Sequence, residues 1–161
     1  MKDNKKCVFA GTFDPPTLGH QALIEDCLAM FDEVVVAILI NPQKNPVFTV
    51  EQRTEMLRLT CRNNPRVKIV TFLGTVAELL KKENTPFYVR GIRNTVDFEY
   101  ENANYFATRK LDEKVRAVYL PCRQEYLHIS SSMVRNSLAF GTPIDEYVSE
   151  KVKTYIEEKR K

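Results

Sequence analysis

The chain has 161 residues, of which 43% are hydrophobic and 28% charged, which fits a single domain spanning residues 1–161. Its net charge of +3 is too small to predict a nucleic-acid partner and suits small anionic substrates at a local site. The polar start, residues 1–6, does not fit a signal peptide, and no apolar run reaches the length of a membrane span. We therefore expect a cytoplasmic protein with no membrane partner.

Five short apolar runs predict strands near residues 7–10, 33–40, 67–72, 87–90 and 115–120. Helical patterns separate these runs, and such alternation is typical of a parallel sheet. The chain therefore predicts an α/β fold: one Rossmann-like, doubly wound domain with a five-stranded parallel sheet and a C-terminal helical segment.

Local signals predict where several helices begin and end. Capping boxes at residues 49–52 and 75–78 predict two helix starts. Asn-Asn-Pro at 63–65 and Asn-Thr-Pro at 84–86 predict helix stops before strands. Gly141 is expected to end one helix, with Thr142 as the cap and Pro143 as the first residue of the next. The tail 149–161 predicts a last helix that ends in three cations.

Four scattered cysteines, with no CxxC spacing and only two histidines in the chain, make a zinc site improbable. We expect reduced thiols at Cys7, Cys27, Cys61 and Cys122.

The stretch 8–20, VFAGTFDPPTLGH, predicts a strand that enters a helix through a Gly/Pro turn. The first turn of a helix offers unpaired N–H groups and the positive end of the macrodipole, which together bind phosphate. Thr12 adds a hydroxyl and His20 an imidazole. His20 also shares a helical stripe with Ile24, Cys27 and Phe31, so the spacing alone favours a core histidine. The polar residues crowded into this short turn, which packing does not require, favour the functional interpretation instead.

Three further loops follow predicted strands at the edge where parallel sheets bind ligands. Lys44 lies in a proline-flanked loop, where a lone lysine is usually just solvated. Arg90 and Arg93 flank Gly91, and they suit either phosphate binding or salt bridges to Asp97, Glu99 or Glu101. Three serines at 130–132 precede a helical pattern; one is enough for a cap, which leaves spare hydroxyl and N–H groups for a second anion.

The residues at 11–20, the RGIR…DFEYE block at 90–101 and the ISSS…VR pattern at 129–135 closely resemble bacterial phosphopantetheine adenylyltransferases. The first and last motifs are shared across the T/HxGH nucleotidyltransferase superfamily, whereas the 90–101 block is the specific one. Three positions depart from the usual family pattern: Ala10 replaces Pro, Tyr126 replaces Trp, and Asn102-Ala-Asn104 is less apolar.

The resemblance implies transfer of the adenylyl group of ATP to 4′-phosphopantetheine with Mg²⁺, in a homo-oligomer that is a hexamer in the family. The sequence does not identify the Mg²⁺ ligands. Because this reaction requires mainly positioning and neutralisation of phosphate charge, we expect His20, Lys44 and Arg93 to be the catalytic residues. The ATP contacts that the resemblance implies fall on Thr12, Phe13, His20, Gly91, Ile92, Arg93, Glu101, Tyr126, Leu127, His128, Ile129, Ser130, Ser131 and Ser132. The phosphopantetheine contacts that it implies fall on Thr12, Lys44, Val76 and Arg90.

Two other functions remain open at this stage. One is a mononucleotide adenylyltransferase, against which the 90–101 block argues. The other is a nucleotide-sensing or scaffold protein without turnover, against which intact Thr12, His20, Lys44 and Arg93 argue.

Overall fold

The computed structural model describes residues 5–160. Residues 1–4 of the polar start and Lys161, the last of the three C-terminal cations, lie outside the described residues. Within this range, five parallel strands form one sheet in the order β3-β2-β1-β4-β5. The strands are β1 (Lys6–Gly11), β2 (Glu33–Leu39), β3 (Val67–Phe72), β4 (Phe87–Ile92) and β5 (Arg116–Pro121). The predicted five-stranded parallel sheet is confirmed.

Six helices connect and follow the strands: α1 (Leu18–Met30), α2 (Val50–Thr60), α3 (Val76–Glu83), α4 (Thr95–Leu111), α5 (Ser131–Phe140) and α6 (Glu150–Lys159). The capping boxes predicted at Thr49 and Thr75 are both present. The strand order reverses its direction between β1 and β4, which lie side by side. In open α/β sheets the ligand crevice opens at the carboxyl ends of the strands at this reversal.

The two faces of the sheet carry separate apolar clusters, as expected for strands buried on both sides. On one face Phe9 and Val36 pack with Leu23 and Cys27 of α1. On the other, Val8 and Val35 pack with Leu79 and its neighbours on α3. A third cluster joins α2, α5 and α6 beside the sheet, and it includes Met56, Val134, Val152 and Ile156. This third cluster fixes the C-terminal helices next to the crevice.

Gly141 ends α5 in the left-handed conformation, as predicted, but no helix begins at Pro143. The last helix lies within the predicted tail 149–161: α6 begins at Glu150, where the Ser149 side chain accepts a hydrogen bond from the N–H of Val152. The segment between them is not helical because Ile144 and Val148 are drawn into the third cluster, at 4% and 2% exposure.

The four cysteines are free thiols, with Cys7 and Cys27 buried. Across residues 5–160, no helix has both the length and the apolar character needed to cross a bilayer.

Candidate active site

A cavity of about 380 Å³ opens at the carboxyl ends of β1 and β4, where the strand order reverses. Its walls come from the turn between β1 and α1, the end of β4, α4, and the loop that leads into α5. Most of the residues predicted from the sequence line it: Thr12, Phe13, His20, Arg90, Gly91, Arg93, Glu101, Tyr126, Ile129, Ser130 and Ser131.

Six predicted residues lie outside these walls. Lys44 lines an adjoining cavity of about 220 Å³, and Thr12 is shared by both cavities. Val76 begins α3 and packs against the apolar cluster on that face of the sheet. The other four, which the sequence assigned to ATP, are Ile92, Leu127, His128 and Ser132.

His20 is the third residue of α1, and its ring faces the cavity while resting on aromatic neighbours. The Phe13 ring meets it edge-on at a centroid distance of 4.9 Å. Its Nδ1 accepts a hydrogen bond from the backbone N–H of Thr17 at 3.0 Å. Because a neutral imidazole then carries its proton on the other nitrogen, Nε2 is a hydrogen-bond donor. The His20 ring thus packs against the core while its edge lines the cavity, so a core position and a role at the cavity are compatible.

The electrostatic surroundings keep His20 neutral. Burial, followed by the positive charges of Arg90 and Arg93, lowers the pKa of His20 to about 4 from the ordinary 6.5. Protonation would also place a second N–H on Nδ1, against the Thr17 N–H that this nitrogen accepts. At neutral pH the His20 side chain is therefore an uncharged hydrogen-bond donor and not a general base.

The start of α1 offers fewer free N–H groups than the motif suggests. The N–H of Leu18 donates to the carbonyl of Tyr147 at 2.9 Å, and that of His20 donates to the hydroxyl of the cap residue Thr17 at 3.4 Å. Gly19 supplies the first-turn N–H that neither bond uses, and it lines the cavity. A Cβ at this position would lie 3.5 Å from the Thr17 hydroxyl, in ordinary van der Waals contact.

A second helix N-terminus, that of α5, lies at the same cavity. All three serine hydroxyls have partners within the chain. Ser130 caps the helix by accepting from Met133, Ser131 donates to the Pro15 carbonyl at 2.8 Å, and Ser132 accepts from Arg135. Ser130 and Ser132 only accept in these bonds, so each keeps an O–H hydrogen to donate, whereas that of Ser131 is used. The first helical turn also offers its backbone and positive dipole end to an anion.

Arg90, near the end of β4, and Arg93, just after it, are both ion-paired. Arg90 donates to the Ala10 carbonyl at 2.7 Å and to Glu101, whose side chain is 8% exposed. Arg93 pairs with Asp97 at 2.9 Å. These hydrogen bonds from Arg93 lower the pKa of Asp97. Salt bridges and a place in the cavity wall are therefore compatible, because each guanidinium keeps further N–H donors.

Sequence reasoning did not assign nine residues that also line the cavity. They include Gly19, Asp97, Cys122 and Arg135. Arg135 was recognised only as part of a motif, yet it donates to the Asp14 carbonyl at 2.8 Å, across 121 positions of the chain. The signal was present in the sequence for Asp97, one helical turn after Arg93. Gly19 and Arg135 lie inside the quoted 8–20 and 129–135 motifs, whereas no local pattern identifies Cys122.

Acidic residues in the cavity wall are Asp97 and Glu101, and both are already bound to arginines. Among residues 5–160, no three His, Cys, Asp or Glu side chains come together as a metal-binding group.

Two helix N-termini, a neutral imidazole donor and two guanidinium groups lie at one crevice, and phosphate groups are commonly bound by groups of these kinds. The family model described as cytidylyltransferase-like matches residues 8–137, so the class is that of the nucleotidyltransferases. A Vibrio parahaemolyticus crystal structure, assigned as a candidate nicotinate-nucleotide adenylyltransferase, shares the fold. Its TM-score is 0.69 at 23% identity, over 95% of this chain and 99% of that one.

Curated relatives narrow the class. The phosphopantetheine adenylyltransferase of Symbiobacterium thermophilum is 43% identical over 143 residues, which are 89% of this chain and 88% of the relative. The enzyme of the same name from Flavobacterium johnsoniae is 38% identical over 149 residues, or 92% and 97% of the two chains. This chain belongs to the phosphopantetheine adenylyltransferase family.

Proposed function

We propose that this protein transfers the adenylyl group of ATP to 4′-phosphopantetheine, giving dephospho-coenzyme A and pyrophosphate, the penultimate step of coenzyme A synthesis. The proposal is supported by a crevice where two helix N-termini could bind phosphate groups, in a chain that belongs to this family. Thr12 borders both the main cavity and the adjoining one that Lys44 lines. Two phosphorylated substrates bound there would meet beside Thr12.

The nucleophile in this reaction is an oxygen of the acceptor phosphate, which is already an anion at neutral pH. The protein therefore has no need of a general base, and a neutral His20 suits this chemistry. The attack forms a bond from that oxygen to the α-phosphorus of ATP and breaks the bond to the leaving pyrophosphate. What the chain has to supply is alignment of the two phosphates and stabilisation of the charge that moves onto the departing oxygens.

His20 is proposed to donate from Nε2 to the α-phosphate as charge develops there. Its Nδ1 is held by the Thr17 backbone, which fixes the tautomer and the ring without a charged partner. A donor that needs no reorganisation at the moment of reaction stabilises the transition state more than a mobile one. Arg93, which Asp97 holds at the cavity wall, is proposed to neutralise the leaving phosphates.

Lys44, Arg90, Thr12 and Val76 are proposed to bind phosphopantetheine. Truncating Lys44 or Arg90 should raise the KM for this acceptor more than the KM for ATP. Equal effects on both substrates would contradict this division. The remaining ATP contacts are proposed for the residues that the family resemblance implies: Phe13, Gly91, Ile92, Glu101, Tyr126, Leu127, His128, Ile129, Ser130, Ser131 and Ser132.

We propose that Mg²⁺ enters with ATP, taking its ligands from the phosphates and water, because both acidic side chains of the cavity wall are occupied by arginines. Removing free Mg²⁺ with a chelator should then weaken ATP binding without lowering the melting temperature of the protein alone. A fall in that melting temperature would contradict a metal that enters only with the nucleotide.

A homo-oligomer, a hexamer in the family, is proposed for the assembly. Apolar side chains on α4 support it, since Val96, Tyr100 and Leu111 are 71%, 67% and 59% exposed. Light scattering coupled to size exclusion should give a mass several times that of the chain, and a monomer at micromolar concentration would contradict it. We further propose a cytoplasmic location, with no nucleic-acid or membrane partner.

Pyrophosphate release tests the function directly. Purified protein with ATP and Mg²⁺ should release pyrophosphate with 4′-phosphopantetheine as acceptor and not with nicotinamide mononucleotide. Release with the mononucleotide alone would identify a mononucleotide adenylyltransferase. ATP binding without release in either case would identify a nucleotide-binding protein without turnover.

A further inference from the structure

Phe48 is a buried residue of the loop between β2 and α2, and two charged side chains from elsewhere bind its backbone. Its N–H donates to Oδ1 of Asp14 at 2.9 Å, and its carbonyl accepts from Nε of Arg53 at 3.1 Å. The N–H of Val47 donates to the other Asp14 oxygen, also at 2.9 Å. Consecutive backbone groups of this loop are thus fixed by side chains of opposite charge.

The same two side chains also belong to the turn after β1. Asp14 lies in that turn, and Nη1 of Arg53 donates to the Thr12 carbonyl at 2.9 Å. Asp14 and Arg53 are only 5% and 3% exposed. Buried charges are tolerated only where hydrogen bonds satisfy them, and removing one partner is costly. Together they tie the turn that bears Thr12 to the loop that bears Lys44.

The rest of the loop leaves Lys44 little freedom along the backbone. At its start, the N–H of Ile40 donates to the Phe72 carbonyl at 2.9 Å. Next, the side chain of Asn41 accepts from the Gln43 N–H at 2.9 Å, and its carbonyl accepts from the Lys44 N–H at 3.0 Å. The loop is anchored to the sheet before Lys44 and to Asp14 and Arg53 after it.

We propose that Asp14 and Arg53 are positioning residues that hold Lys44 beside Thr12 so that both contact the acceptor phosphate. This inference rests on the proposed function, which assigns Lys44 to the acceptor. Neither residue has to touch substrate to act in this way. Arg53 uses two nitrogens of a planar fork to join Thr12 to Phe48, and a lysine ammonium at the same place has no such fork.

The first test is a double-mutant cycle on the full-length protein with the variants Arg53→Lys and Lys44→Ala. Arg53→Lys should raise the KM for 4′-phosphopantetheine by roughly tenfold, as for one lost hydrogen bond to a charged group. It should leave the KM for ATP nearly unchanged. Lys44→Ala should then add little in the Arg53→Lys background, because the lysine it removes is already misplaced.

Leu57→Ala is the matched control. Leu57 is a fully buried residue of the same helix, so its truncation destabilises α2 without removing a bond to the loop. In that background Lys44→Ala should keep its whole effect on the acceptor KM. Multiplicative effects of Arg53→Lys and Lys44→Ala, or the same rise in acceptor KM for Leu57→Ala, would overturn the inference.

Hydrogen exchange provides a readout that does not depend on turnover. Asp14→Asn and Arg53→Lys should each speed exchange in residues 41–48 and leave residues 150–159 of α6 unchanged. Unchanged exchange in 41–48 would overturn the positioning role even in an active enzyme. Absence of adenylyl transfer by the unmodified protein would instead refute the proposed function, and the acceptor role of Lys44 with it.

Discussion

Replacing His20 by Ala removes the one neutral donor that we assign to the α-phosphate. A donor of this kind, aimed at developing charge in a site shielded from water, is worth about 2.7–4 kcal/mol, so kcat should fall roughly a hundred- to a thousand-fold. The imidazole also stabilises the fold, because Nδ1 accepts a hydrogen bond from the Thr17 N–H and the ring packs on Phe13. Losing the cap contact and the aromatic pair should cost about 1–3 kcal/mol of stability.

Steady-state kinetics at saturating ATP and acceptor, together with thermal unfolding, separate the two effects. Ser149→Ala is a useful control because it removes the cap of α6, away from the cavity. That variant should lose stability and keep kcat within about twofold of the unmodified enzyme. The reasoning would be refuted if folded His20→Ala protein kept kcat within tenfold, or if its activity fell only in proportion to the unfolded fraction.

Three further outcomes follow from the same contacts. Because the pKa of His20 is about 4 in the folded protein and 6.5 ordinarily, the unfolded chain binds the proton more tightly, and stability should fall as the pH drops from 6.5 to 4. Urea unfolding across that pH interval should show a fall in the free energy of unfolding of up to about 3 kcal/mol. If a His20→Gln variant showed an equal fall, the titration of His20 would not be its cause. Gly91→Ala should raise the KM for ATP because the new Cβ would lie 3.1 Å from the Cys122 sulfur. Adding Cys122→Ala to this variant should restore part of the affinity for ATP. If it restores none, the contact with the sulfur is not the cause. Ser149→Ala should lower the free energy of unfolding by about 1 kcal/mol. Thr142→Ala should lower it by less, because Ser149 and not Thr142 caps α6. A larger loss for Thr142→Ala in urea unfolding would contradict that assignment.

The elements that could be predicted are those whose signals are local. All five strands were predicted close to their observed ranges, because buried parallel strands are continuous apolar runs. Both capping boxes were predicted because each is contained in four residues. The last helix was predicted in the tail 149–161, where α6 lies. A helix was also predicted to start at Pro143, because Thr142 and Pro143 form a good local start signal, but none begins there. Burial of Ile144 and Val148 in the third cluster overrides that signal, and burial against distant residues leaves no mark on the neighbouring sequence.

The sequence predicted many of the residues at the candidate site but not the hydrogen bonds that join the segments around it. The motifs identified most of the cavity wall, since strand-end loops meet at one edge of a parallel sheet. They did not predict that Tyr147 would occupy the first N–H of α1. Nor did they predict that Asp14 would bind the backbone of the Lys44 loop across 33 and 34 positions of the chain. These contacts depend on how the segments pack, which spacing along the chain does not contain.

An isotope label in the acceptor tests the central claim, that an acceptor phosphate oxygen attacks the α-phosphorus of ATP in this crevice. The protein would be given ATP, Mg²⁺ and 4′-phosphopantetheine whose phosphate carries ¹⁸O, and the products would be analysed by mass spectrometry. We predict that all of the label stays in dephospho-coenzyme A and that the pyrophosphate is unlabelled. Label in the pyrophosphate, or release of AMP in place of dephospho-coenzyme A, would contradict the account.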